Sequence, residues 1–121
     1  MHPDTATGLN TLAMLYYSQG KYEQVEPLLK RALLIWEEVL GPIHPNITAS
    51  LNNLAMLYHR QGKYERAELL FKQALVTMEK VLVPNHLDTM TVRINQARLL
   101  ADMKLAKQLL GEKTPSVPQE E

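Results

Sequence analysis

Residues 54–65 read Leu54-Ala55-Met56-Leu57-Tyr58-His59-Arg60-Gln61-Gly62-Lys63-Tyr64-Glu65. Residues 12–23 read Leu12-Ala13-Met14-Leu15-Tyr16-Tyr17-Ser18-Gln19-Gly20-Lys21-Tyr22-Glu23. The stretches lie 42 residues apart, and extending the comparison to residues 2–41 against 44–83 gives 22 identities in 40 without a gap. Similarity at that level is an internal repeat, and the repeat decides the architecture. A third copy starts at His86 and is divergent: only His86, Asn95, Ala97 and Leu99 match residues 44–60, and Lys104-Leu105-Ala106 replaces the Gly-Lys-Tyr turn.

Each unit reads as two helices. In the second, Asn46 after Pro45 is a suitable N-cap, and Leu51, Leu54, Ala55, Leu57 and Tyr58 recur at helical spacing. Gln61-Gly62-Lys63 ends that helix, because glycine tolerates the left-handed conformation of a helix stop. A second apolar stripe follows through Ala67, Leu70, Phe71, Ala74, Leu75, Met78 and Leu82, closed by Pro84-Asn85. The first unit repeats the pattern from Asp4 to Leu40. Pro27 falls early in its second helix and predicts a local kink or a start nearer Glu23. Ala13 and Ala55 on the first helices face Val25 and Ala32, and Ala67 and Ala74, on the second. Small residues there let the helix axes approach. Tyr16, Tyr58, Leu29 and Phe71 fill the remaining space, and Trp36 packs between units. The pattern gives one domain over residues 1–110: repeat 1 over about 2–43, repeat 2 over about 44–85 and a terminal helix over about 88–110. Residues 111–121, with two prolines, read as a disordered tail.

Composition narrows the function. Thirteen Lys and Arg balance thirteen Asp and Glu, which argues against a nucleic-acid or anionic-membrane binder. The chain has no cysteine, which excludes disulfides and thiolate zinc sites. There is no apolar run of membrane-spanning length and no signal-peptide pattern at Met1-His2-Pro3-Asp4, so a soluble cytoplasmic protein is the expectation.

The large, small and aromatic positions Leu54, Ala55, Tyr58, Gly62, Tyr64, Ala67, Phe71 and Ala74, echoed by Leu12, Ala13, Tyr16, Gly20, Tyr22 and Ala32, resemble the tetratricopeptide repeat. The 42-residue period, longer than the usual 34, together with Leu51-Asn52-Asn53-Leu54-Ala55 and Gln61-Gly62-Lys63-Tyr64, resembles the kinesin light chain class of that family. The resemblance implies an all-α, right-handed solenoid of antiparallel helix pairs with two full repeats plus a terminal helix. It also implies a protein-binding scaffold, with the first helix of each pair lining the concave side.

On that mapping the concave stripe includes Asn10, Met14 and Tyr17 from the first helix, Asn52, Asn53, Met56, His59 and Arg60 from the next, and Asn95 and Arg98 from the terminal one. Asparagine amides can pair with a ligand backbone of any sequence, methionine offers adaptable apolar contact, and arginine can hold a carboxylate. The expected partner is therefore an extended peptide segment of another protein. An acidic segment is the weaker choice, because Asp102 offsets the two arginines. The competing reading is that Asn10, Asn52 and Asn53 crosslink neighbouring helices, with Arg60 a solvated charge. On the groove reading, replacing Asn52 and Asn53 with alanine weakens partner binding and leaves the fold intact.

A second function is homo-oligomerisation, through exposed solenoid ends or a swapped terminal helix. The chain starts at a linker, as the middle of an array would, and two and a fraction repeats leave apolar ends. Catalysis is not expected. Ser18, His59 and Asp102 share the concave face, but helix axes 8–10 Å apart place them beyond the reach of a triad, and no oxyanion loop accompanies them. His2, His44 and His86 recur with the repeat as linker residues rather than as metal ligands, so no metal or cofactor is expected.

If Ala55 marks the close approach of two helices, Ala55→Leu overpacks it and lowers stability by roughly 1–3 kcal/mol. An unchanged denaturation midpoint would refute that placement.

Overall fold

A computed structural model of the chain describes residues 2–41, 44–81 and 87–111, with the side chains of 81, 87, 88 and 111 left aside. Five helices follow in order: α1 Pro3–Ser18, α2 Tyr22–Leu40, α3 Pro45–Arg60, α4 Tyr64–Val81 and α5 Leu87–Gly111. Helices α1 and α2 pair, as do α3 and α4; α3 then packs on α2, and α5 packs on α4 with a lighter contact to α3. This is an all-α solenoid. The tail expected after residue 111 and the linker residues Pro84, Asn85 and His86 lie outside the described residues.

Both complete units begin differently from the sequence expectation. The helices start at Pro3 and Pro45, and the cap is the preceding histidine rather than Asn46. His2 Nδ1 accepts from the Asp4 amide at 3.0 Å, and His44 Nδ1 accepts from the Asn46 amide at 3.1 Å. Proline at the first helical position has no N–H to satisfy, and an imidazole nitrogen meets the next one as an aspartate or serine oxygen would. The repeated His-Pro dipeptide is therefore a helix-start signal.

The paired helices are joined by two copies of one turn. Gly20 and Gly62 both adopt φ +77°. The Lys21 amide donates to the Tyr16 carbonyl at 2.9 Å, and the Gly20 amide to that of Tyr17 at 3.0 Å. The Lys63 and Gly62 amides repeat this with Tyr58 and His59 at 2.8 and 3.0 Å. These paired bonds form a Schellman stop, which needs a residue at ease with positive φ. Lys104 stands at that position in the third copy, no such stop forms, and α5 runs on to Gly111.

The small residues lie where expected. Ala13, Val25 and Ala32 are fully buried in the first pair, and Ala55, Ala67 and Ala74 in the second. Leu29, Phe71 and Tyr58 are also buried, Tyr16 is half-buried against this core, and Trp36 is buried beside Asn46, Ala49 and Ser50 of the next unit. Helix α2 is one element from Tyr22, one residue before Glu23, with exposed Pro27 inside it.

A polar contact also joins the units. The Tyr58 hydroxyl of α3 donates to Glu26 Oε2 of α2 at 2.5 Å, and Lys30 Nζ reaches the same oxygen at 2.9 Å. Lys63 and Arg66 lie over the Tyr58 ring at 5.6 and 5.8 Å. The Tyr58 hydrogen bond, followed by that of Lys30, holds the Glu26 carboxyl below its usual range. Burial, followed by the Glu26 bond, pushes the Tyr58 hydroxyl up. Because the folded pKa of Glu26 is depressed, its stabilisation is complete above the ordinary glutamate value and is lost as pH falls through the depressed one.

Tyr58→Phe should lower the unfolding free energy at neutral pH by about 1.5 kcal/mol. The gap between wild type and variant should narrow as pH falls below the ordinary glutamate range and close only below the depressed value of Glu26. Urea denaturation across that range measures it, and a gap that stays constant would place the pH dependence elsewhere.

Candidate functional site

The α1, α3 and α5 residues assigned to the concave stripe meet in rungs between neighbouring helices. Asn53 Nδ2 donates to Asn10 Oδ1 at 3.1 Å, and Asn95 Nδ2 donates to Asn52 Oδ1 at 3.1 Å. His59 Nε2 pairs with Asp102 Oδ2 at 2.5 Å. Each contact spans 43 residues, one more than the sequence repeat. Tyr17 and Arg60 have the same offset and also interact. Burial pushes the Tyr17 hydroxyl up, and the Arg60 guanidinium beside it pulls the other way. A residue on one helix thus meets the residue one place past its own counterpart on the next.

Part of the sequence reading changes with this geometry. The four asparagines of the stripe, Asn10, Asn52, Asn53 and Asn95, bond to one another between neighbouring helices, as the competing reading had it for the first three. Asn52 also donates to Met56 Sδ at 3.6 Å within its own helix. The expectation that side chains on adjacent units cannot reach each other is overturned by His59 and Asp102. Helix axes can be well separated while long side chains on their facing flanks touch. No triad results, because Ser18 Oγ donates to the Leu15 carbonyl at 2.7 Å in its own helix.

Six of the ten stripe residues do converge. Tyr17, Met56, His59, Arg60, Asn95 and Arg98 line one cleft of about 430 Å³, together with Tyr64 and Asp102. Met14, Asn10, Asn52 and Asn53 do not line it. Tyr64, at the start of α4, was missed, although its place directly after the turn motif carries it to this end of α3. Its ring stands edge-on to His59 at 5.8 Å. The acidic group of the cleft, Asp102, is engaged by His59. Among the described residues, Arg98 has no hydrogen-bond or ion-pair partner. A second cavity, about 730 Å³, opens between the Gly62-Lys63 turn and Met103, Lys104 and Lys107 of α5, and it contains none of the rungs. Among the described residues no His, Asp and Glu cluster could hold a metal ion, and no helix is long and apolar enough to cross a membrane.

The family model of the tetratricopeptide repeat matches residues 4–80. The chain belongs to the tetratricopeptide repeat family. The match spans both complete helix pairs and stops before α5. Tetratricopeptide repeats generally mediate protein–protein interaction, and the fold is typically a non-catalytic scaffold. Among solved structures, the crystal structure of BtubC (BKLC) from P. vanneervenii is similar, with a TM-score of 0.72 at 22% identity. The similarity covers 96% of this chain and 50% of that one, so the chain spans about half the length of BtubC. No curated protein matches the sequence significantly.

If the rungs persist in solution, Asn10→Ala and Asn53→Ala should be coupled. A double-mutant cycle read by chemical denaturation should give about 0.5–1 kcal/mol of interaction energy. Zero coupling would show that the Asn10–Asn53 bond is not held. Asn52→Ala with Asn53→Ala removes a rung on each side of α3 and should therefore lower stability as well as alter the groove.

Proposed function

We propose that this tetratricopeptide chain binds an extended segment of a partner protein along α1, α3 and α5, and that the cleft at their C-terminal ends receives an acidic side chain of that segment. The observation that carries this reading is the engagement of Asp102 by His59. Asp102 was the group that offset the two arginines. His59 occupies one oxygen of Asp102, which keeps its charge, so the cleft sets two guanidinium groups against one carboxylate, with Arg98 lacking a partner among the described residues and Arg60 beside the Tyr17 hydroxyl. Two guanidinium groups over a partly enclosed cleft suit a carboxylate, which they can hold by paired charge-assisted hydrogen bonds. Met56 and the rings of Tyr17 and Tyr64 supply apolar wall around that charge. Free polar capacity remains along the rungs, since the Asn10 amide nitrogen and the Asn53 carbonyl oxygen take no part in their shared bond.

A panel of extended peptides, each carrying two Asp or Glu residues, tests this against matched Asn and Gln versions. The acidic set should bind preferentially and weaken with added salt. Arg98→Gln should lower its affinity without moving the denaturation midpoint, and with Arg60→Gln added the loss should reach roughly tenfold or more, about 1.4 kcal/mol, with a small fall in midpoint from the lost Tyr17 contact. Equal binding of both sets, or indifference to the two arginines, would remove the acidic reading.

A further inference from the structure

Helix α5 occupies the place of a first helix, and among the described residues no second helix covers it as α2 and α4 cover α1 and α3. Ala97 stands at the repeat position of Ala13 and Ala55. Those two are sealed within their helix pairs, whereas Ala97 is exposed. Along the same flank Met90, Ile94 and Leu105 are 45%, 51% and 54% exposed, and Ala101 is exposed too. Residues 90, 94, 97, 101 and 105 are spaced by three or four, so they form one stripe on the helix. It lies opposite Val92 and Leu99, which are buried against the solenoid.

Every member of the stripe but Ala97 departs from the repeat, and two of the departures bear on the rungs. Ile94 stands where the other first helices have Asn10 and Asn52, and Ala101 where they have Tyr17 and His59. Those polar residues are the ones that meet the following first helix in the rungs. In α5 both positions are apolar. An edge that would receive a further rung has become a continuation of the surface that a covering helix occupies, with small alanines at its centre for close approach.

Charge indicates the occupant. Arg98 flanks the stripe on one side and Lys104 on the other, and Asp102 lies farther round the helix against His59 of α3. Two copies of α5 packed antiparallel about Ala97 and Ala101 would bring Arg98 close to Arg98 of the second copy. Like charges so placed oppose that pairing. We propose that the stripe docks an amphipathic helix of a partner protein, antiparallel to α5, with an apolar stripe flanked by Asp and Glu.

Helices α2 and α4 provide ready probes, since each already covers an alanine at the equivalent position. A peptide of residues 22–40 carries Glu23, Glu26, Glu37 and Glu38 against Lys30 and Arg31; one of residues 64–81 balances Glu65, Glu68 and Glu79 with Arg66, Lys72 and Lys80. Fluorescence anisotropy with the full chain should show the 22–40 peptide bound, and bound more tightly than the 64–81 peptide. Ile94→Asn with Ala101→Glu should weaken it by roughly tenfold or more, with the melting temperature unchanged. Absence of binding, or equal binding by that variant, overturns the proposal; equal affinity for the two peptides overturns its acidic character. A chain that dimerises alone and is made monomeric by the same substitutions places a second copy on the stripe and overturns the proposed partner.

Discussion

Two antiparallel helices can lie as close as α1 and α2, or α3 and α4, only if small residues occupy the line where they meet. Ala13, Val25 and Ala32 do so in the first pair, and Ala55, Ala67 and Ala74 in the second. The turn makes this contact local. With the chain reversed over Gln-Gly-Lys, the second helix returns directly along the first. The glycine must take φ +77° for the paired amide bonds to close. Close approach leaves the opposite flanks of each pair free to stack on the next, and burial of Tyr58, Leu57 and Trp36 follows from that stacking.

The rungs act within this framework as selectors of register. A neutral hydrogen bond between partly exposed amides contributes about 1 kcal/mol, less than the burial of one large apolar side chain. Its value lies in direction. A helix sliding by one residue turns its side chains through about 100°, so Asn53 could no longer reach Asn10, nor Asp102 reach His59. Apolar stacking would tolerate a small slip with modest loss, whereas the polar pairs would be left incomplete. The shared offset of 43 residues at all three hydrogen-bonded contacts is that register.

The parts of the structure legible in the sequence are those governed by chemistry within one repeat. The helix pairs, the glycine stops and the buried alanines depend on residues a few places apart, and comparing two copies exposes them. The caps were misplaced by one residue because histidine is an uncommon capping residue and Asn46 a common one, although the repeated His-Pro carried the signal. The rungs were not legible as pairs. They join a residue to the neighbour of its counterpart, a displacement created by the stacking of units and invisible in the 42-residue period. That is why the stripe residues were identified as a set while the partner of each was not, and why His59 and Asp102 were wrongly held apart.

The third unit shows how far such a code can be edited without losing the stack. Helix α5 keeps the half of the pattern that faces backward: Leu99 matches Leu57, Asn95 matches Asn53, and Asp102 supplies the residue that meets His59. It loses the half that faces forward, since Asn52 becomes Ile94, His59 becomes Ala101 and Gly62 becomes Lys104. The three losses act through separate physics. The first two remove polar partners for another first helix, and the third removes the turn that would return the chain as a covering helix. Random divergence would be expected to degrade both faces alike. Here the face toward the solenoid remains specific, while Met90, Ile94, Ala97, Ala101 and Leu105 form an apolar stripe on the face away from it, so α5 offers a helix surface where α1 and α3 offer a rung.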